Sequence, residues 1–387
     1  MKRVYLDAAA TTPIGGEVLQ SMLPYFTTEF GNASSLHSFG REAEKAVSRA
    51  RRQIAKAINA DPSEIYFTSG ATEANNWILN GLVRNSESKR VIISSIEHPS
   101  IYETCLQLRK DGYIVDTIDV DQNGIISVTD LVAKLSKPCA LVSVMTANNE
   151  VGTIQYINTI SNLCKKRGVP FHTDAAQALG SVHLDVKEMQ IDALSLSAHK
   201  VYGPKGVGAL YIRNGLDVER HIIGGHQERK RRGGTVSVPG IVGFGNAVEI
   251  TVRDSSINNA RLKMLRDYMI KEIEDKFEFV YLNGHRSQRL PNNVNFSFSG
   301  IGGEALLMTL DMDGIAVGTG SACASGSIDR SHALDAMGVP EELNRSAVRF
   351  TLTRSTTKED IDYCIKKLQG IVKRLRPLSG VQVFKKD

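Results

Sequence analysis

One texture governs residues 65 to 212: short β-prone runs, several of them apolar at every position, separated by longer polar stretches of helical character. The runs fall at Ile65–Thr68, 91–95, Ile114–Ile118, 140–145, 170–173, Ala193–Ser197 and Gly208–Ile212. A strand with one wet face alternates apolar and polar residues, whereas one that is apolar throughout is covered on both faces. Helices supply that cover where strand and helix alternate along a chain, which predicts an α/β fold around a mostly parallel sheet. Residues 159–167, ending at the Gly168-Val169-Pro170 break, read as one such helix.

After about Asp254 the pattern changes. Residues 259–277 form one long amphipathic stretch with Leu262, Leu265, Met269 and Ile273 at helical spacing. Strand-like pieces follow at Asn293–Phe298, 315–317 and Ala347–Thr351, then a last helix over 358–374. A chain of 387 residues is too long for one small core. The reading is a large domain over 14–256 and a smaller α+β domain made of 1–13 and 257–387.

The net charge of +5 is mild and comes partly from Arg229-Lys230-Arg231-Arg232 and the Lys385-Lys386 tail. Such runs usually make a solvated face. With 6% aromatics and no interleaving of basic and aromatic residues, nucleic-acid binding is not expected. The first residues carry no signal-peptide pattern, and no run reaches the roughly 18 apolar residues of a membrane helix. Five cysteines, 105, 139, 164, 323 and 364, are odd in number and include no C-x-x-C pair, which argues against a disulfide framework or a zinc site. No metal is expected, and the expected location is cytoplasmic.

Three strand ends carry the chemistry. The run Asp192 to Ser197 leads into Ala198-His199-Lys200 and a glycine-rich turn, so an amine sits at the edge where open α/β sheets bind ligands. Partly desolvated, such an amine can condense with an aldehyde. The next run ends in His172-Thr173-Asp174, a carboxylate at the same edge that could hold a protonated ring nitrogen or could cap a following helix. The third, Ile65–Thr68 followed by Ser69-Gly70-Ala71-Thr72, is a strand, a turn of small residues and a helix start, which suits a phosphate. It matches neither nucleotide-binding glycine motif.

Phosphate cradle, ring-nitrogen carboxylate and aldehyde-binding lysine together describe a pyridoxal-phosphate site. The chain resembles the cysteine desulfurases of the NifS/IscS type (group I), within the class-V aminotransferase, fold-type I pyridoxal-phosphate enzymes. The likeness runs over nearly the whole chain. It includes Tyr5-Leu-Asp-Ala-Ala-Ala-Thr-Thr-Pro13, Gly31-Asn-Ala-Ser-Ser-Leu-His37, Phe39-Gly-Arg-Glu42 and Glu97-His98-Pro99. It continues through Asn148-Asn-Glu-Val-Gly-Thr153, His172-Thr-Asp174, Ser197-Ala-His-Lys200 and Gly318-Thr-Gly-Ser-Ala-Cys323.

The resemblance implies roles. Lys200 would carry the cofactor and shuttle a proton, Asp174 would pair with the ring nitrogen, and Gln177 would meet the ring hydroxyl. His98 would stack on the ring and assist proton transfer, with Asn149 beside it. Ala71, Thr72, Ser197 and His199 would hold the phosphate, joined by Thr235 reaching over from a neighbouring subunit of a homodimer. Arg349, helped by Asn32, would grip the carboxylate of L-cysteine.

Cys323, in a run of small residues with little to pack, would take the sulfur as a persulfide. It would pass the sulfur to an iron–sulfur scaffold, with which it could transiently share a cluster, or to another acceptor. The other four cysteines read as buried and inert. Departures from the family pattern are Ala8, Gly318-Thr319, Thr353-Arg354-Ser355 and the strongly basic 229–232. The alternatives are a selenocysteine lyase, an aminotransferase of the same class, or a non-catalytic scaffold. Cys323 argues against the aminotransferase, and Lys200, Asp174, His98 and Cys323 together argue against the scaffold.

Overall fold

The computed structural model describes residues 2–319, 330–378 and 383–384. Its twelve strands are β1 (Val4–Tyr5), β2 (Ile65–Thr68), β3 (Arg90–Ser94), β4 (Ile114–Ile118), β5 (Leu141–Ser143), β6 (Phe171–Asp174), β7 (Ala193–Ser197), β8 (Gly208–Ile212), β9 (Val280–Leu282), β10 (Asn293–Phe298), β11 (Ile315–Ala316) and β12 (Ala347–Thr351). Seven of them form the main sheet in the order β2-β8-β7-β6-β5-β3-β4. Only β8 runs antiparallel to its neighbours. The expected mostly parallel α/β sheet is therefore the one observed.

The apolar runs are buried on both faces, as their composition requires. Ile92, Val142, Phe171, Leu194 and Ala209 enter one apolar cluster, while Val91, Ile93, Leu141, Ala193 and Leu210 enter another on the opposite face. Each fully buried Leu, Ile or Phe contributes about 1.5–3 kcal/mol relative to exposure. Between the layers, His172 spans three strands: Nδ1 lies 2.8 Å from Ser143 Oγ and Nε2 lies 3.0 Å from Ser195 Oγ. Burial pushes its pKa down to about 3, so the ring is a neutral cross-strand bridge.

A third apolar cluster joins Val4 and Leu6 to residues of the 262–372 region, among them Met269, Phe296, Phe350 and Leu368. It packs under the antiparallel sheet β12-β10-β9 and the parallel pair β1-β11. From β1 the chain crosses to the main sheet, with Ala8 N and Ala9 N bonded to Thr351 O and Oγ1 at 3.1 and 2.8 Å.

Three expectations change. The helix expected over 259–277 is Ser255–Lys276, because the preceding helix Val238–Arg253 runs on through Asp254: Asp254 N bonds Ile250 O and Asn258 N bonds Asp254 O. No helix follows Asp174; residues 176–178 and 180 are turns, and Asp174 Oδ1 accepts from Ala176 N at 2.9 Å. The 229–232 run is not simply a solvated face. Arg229 and Arg231 lie 4.1 and 5.4 Å from the Tyr66 ring centre, and Arg232 pairs with Glu73.

β8 is pressed against the turn that follows β2. A Cβ on Gly208 would stand 2.7 Å from Gly70 Cα and 2.6 Å from Leu196 O, all backbone atoms that cannot swing aside. Gly208→Ala is therefore expected to cost about 1–3 kcal/mol by overpacking. Thermal unfolding should show a lower midpoint; an unchanged midpoint would mean the β2–β8 contact is slack.

Candidate active site

Five strand ends meet at one edge of the main sheet. β2 runs out into Gly70-Ala71-Thr72, β3 into Glu97-His98, β5 into Asn148-Asn149, β6 stops at Asp174, and β7 passes through Ser197 to Lys200. Together they line a cavity of about 620 Å³. Of the residues selected from sequence, Ala71, Thr72, His98, Asn149, Asp174, Gln177, Ser197, His199, Lys200 and Arg349 all border it. Two do not. Asn32 is exposed, with Oδ1 accepting from Ser34 N at 2.9 Å, and Thr235 is exposed beyond Gly233-Gly234. Cys323 lies outside the described residues; Thr319, four positions before it, borders the cavity.

Lys200 follows β7 by one short turn, Ala198–Lys200. Its Nζ donates to the carbonyls of Ala9 and of Ala10, the latter at 2.9 Å. Burial, and then the nearby Arg349 guanidinium, pull its pKa down to about 8, against the raising influence of Asp174 and Asp7. A useful fraction of the amine is thus neutral and nucleophilic near neutral pH.

Asp174 is 6% exposed. Its Oδ2 accepts from Asn75 Nδ2 at 2.7 Å and Oδ1 from Ala176 N, so a fixed carboxylate stands at the floor of the cavity. Gln177 Nε2 donates to Ala9 O at 3.0 Å. His98 accepts from Ser100 N at Nδ1, 3.1 Å, which places the proton of the neutral ring on Nε2. Burial lowers the His98 pKa more than Asp174 raises it. His199 is likewise pushed down, to about 4, by burial and then by Lys200 and Lys205, and Nδ1 sits 3.2 Å from Thr11 Oγ1.

The helix Ala71–Asn85 begins at Gly70 with no side chain capping it. Its first N–H groups and the positive end of its dipole therefore face an anion site, with Ser197 and His199 on the same cavity wall. Arg349 donates through Nη2 to Asp7 Oδ1 at 2.8 Å and through Nη1 to Asn149 O at 3.1 Å, while its Nε is buried without a partner. An uncapped helix start, a partly neutral lysine, a fixed carboxylate and an unsatisfied guanidinium N–H make a donor set that fits a phosphorylated aldehyde with a carboxylate substrate.

Residues 4–364 match the family model described as Aminotransferase class-V. The chain belongs to this family, in its NifS/IscS cysteine desulfurase group. A cysteine desulfurase IscS from Clostridium botulinum (strain Kyoto / Type A2) is 49% identical, covering 98% of this chain and 96% of that protein. A solved structure described as a NifS-like protein overlays with a TM-score of 0.91 at 36% identity, covering 97% of this chain and 100% of the other. A structure of SspA in complex with cysteine overlays at 0.79 with 34% identity, covering 92% and 100% respectively.

Several residues of this class-V site carry no strong local signal. Asp7 meets Arg349 across 342 positions, and Asn75 meets Asp174 across 99. Glu97 is fully buried: Oε1 accepts from Ser94 Oγ at 2.5 Å and Met145 N at 2.8 Å, while Oε2 has no partner. Burial lifts its pKa to about 8, so it is neutral at pH 7 and fixes the chain just before His98. The helical spacing of Asn75 four residues after Ala71, and the Glu97-His98-Pro99 motif, were the only available hints. The four described cysteines are buried, and burial raises their pKa to about 11 for Cys139 and about 12 for Cys105, Cys164 and Cys364.

Only the neutral amine condenses with aldehydes, so reactivity must rise with pH through the amine's pKa. Reductive methylation of the ligand-free protein, mapped by mass spectrometry, should reach its half-maximal rate at Lys200 near pH 8. A midpoint near 10.5, the ordinary lysine value, would contradict the desolvated site.

Proposed function

We propose that this chain is a pyridoxal-phosphate-dependent cysteine desulfurase that converts L-cysteine to L-alanine and passes the sulfur to its own Cys323. The observation that carries the reading is the cavity itself. It holds Lys200, Asp174, His98, Arg349 and an uncapped helix start at converging strand ends, in a chain 49% identical to a cysteine desulfurase.

Pyridoxal phosphate, when bound, supplies an electron sink next to the substrate's α-carbon. The protein does the rest. The N–H groups of Ala71 and Thr72, with Ser197 and His199, would hold the phosphate, and the partner subunit's Thr235 would add a hydroxyl. Asp174 would hold the ring nitrogen, Gln177 would meet the ring hydroxyl, His98 would stack on the ring and Asn149 would lie beside it. Lys200 would anchor the cofactor and, through Nζ, would move the substrate's α-proton. Its pKa near 8 suits both giving and taking a proton at neutral pH. Arg349, which borders the cavity, would bind the substrate carboxylate.

Cys323 is the thiolate that takes the substrate's sulfur as a persulfide. Its neighbours Gly318 to Ser327 are mostly Gly, Ala, Ser and Thr, which leaves little side chain to pack. The persulfide is delivered to an iron–sulfur scaffold or another thiolation acceptor. The working unit is a homodimer. Among the described residues no helix is long and apolar enough to cross a membrane, and the proposed location is the cytoplasm.

Deprotonation of cysteine needs Lys200 but not a second thiol. Cys323→Ser should still bind pyridoxal phosphate and change its absorbance when cysteine is added, yet release almost no alanine, because a hydroxyl is a poor nucleophile toward sulfur. Changing Cys105, Cys139, Cys164 or Cys364 singly to Ala should keep alanine release within a few-fold. Normal alanine release from Cys323→Ser would refute the persulfide route.

A further inference from the structure

The proposed reaction leaves the basic run at 229–232 unused, and its last member faces the phosphate cradle. Arg232 Nε donates to Glu73 Oε1 at 2.9 Å, and Nη2 donates to Oε2 at 3.1 Å. The two side chains are 18% and 9% exposed. Glu73 is the third residue of the helix Ala71–Asn85, and its Oε2 also accepts from Ser69 N at 2.8 Å. It borders the same cavity as Gly70, Ala71 and Thr72.

A carboxylate in the first helical turn interacts favourably with the positive end of the dipole. In a phosphate cradle that is a liability. The carboxylate competes for the helix end and repels a second anion beside it. A guanidinium bound to both of its oxygens cancels that charge and fixes its direction.

The placement of Arg232 is itself held from several sides. Trp77, on the cradle helix, donates Nε1 to Glu219 O at 2.9 Å and stacks on His221 with 6.1 Å between ring centres. Glu228, buried, takes both Arg51 terminal nitrogens at 2.7 Å and Phe67 N at 2.8 Å. The loop then closes through Gly233 N to Ile222 O at 2.9 Å, and a Cβ on Gly233 would meet Gly224 Cα at 2.8 Å. Arg232 therefore reaches Glu73 from a loop pinned to the helix it serves.

We propose that Arg232 is the charge-balancing and positioning residue of the phosphate site: it neutralises Glu73, so that the helix start accepts a phosphate dianion. This deepens, and rests on, the reading of the cavity as a pyridoxal-phosphate site. The cofactor-stripped full-length protein is titrated by equilibrium dialysis with pyridoxal 5′-phosphate and, separately, with pyridoxal, which lacks the phosphate. Arg232→Gln should weaken the phosphorylated ligand by about tenfold or more and leave pyridoxal within about twofold, as expected for one unmasked like charge. Glu73→Gln/Arg232→Gln restores charge balance without restoring the contact, so it should recover most of the lost affinity. This double variant also keeps the test decisive if the single variant folds poorly. The proposal is overturned if Arg232→Gln binds both ligands as the native protein does, if it loses both equally, or if the double variant binds no better than the single. A native protein that holds pyridoxal as tightly as its phosphate would overturn the phosphate site itself, and the assignment of Arg232 with it.

Discussion

An amine taken out of water must shed its proton or find acceptors, and Lys200 is placed to do both. Two carbonyls from the N-terminal segment receive its Nζ, while burial and Arg349 draw its pKa to about 8. That state requires two structures at once. The main sheet must deliver Lys200 beside Asp174, and the segment from β1 must cross over from the other core to supply Ala9 and Ala10. The bonds from Ala8 and Ala9 to Thr351 fix that crossing, two residues along β12 from Arg349. The amine, its acceptors and the guanidinium that depresses it are thus coupled through one short piece of chain.

The histidines show how environment sorts like residues into different tasks. His172 is locked between two serines inside the sheet and has no route to a ligand. His98, two strands away in the sheet, spends only Nδ1 on Ser100 and borders the cavity. The carboxyls divide in the same way. Asp174 is supplied with N–H donors and a cationic neighbour, whereas Glu97 is buried with one oxygen unpartnered and holds its proton. A site that must bind a ring and move protons needs both kinds, and the ends of β3 and β6 bring them to one edge of the sheet.

Much of this was legible because the main sheet writes itself in local composition. Ile65–Thr68, Ile114–Ile118, Ala193–Ser197 and Gly208–Ile212 appear in the structure as the apolar runs foretell. Polar or glycine residues directly after such runs mark where strands open onto the site, which is why Lys200, Asp174 and Gly70-Ala71-Thr72 could be picked out. Short β9 was invisible: three half-buried residues carry no distinctive pattern. The turn after Asp174 was misjudged because Ala-Ala-Gln-Ala favours a helix until Asp174 and the strands around it redirect the chain. Asp7, Asn75 and the Arg232–Glu73 pair escaped because their meaning lies in contacts between distant segments, and a run of four cations reads locally as solvated surface whatever it touches.

The central claim is that this cavity anchors pyridoxal phosphate through Lys200. Borohydride reduction of the cofactor-loaded protein, followed by proteolysis and mass spectrometry, asks this directly. The account predicts one reduced pyridoxyl-phosphate adduct, on the peptide containing Lys200, and none in Lys200→Ala. An adduct on another lysine, or no adduct in a protein that nonetheless releases alanine from cysteine, would contradict it.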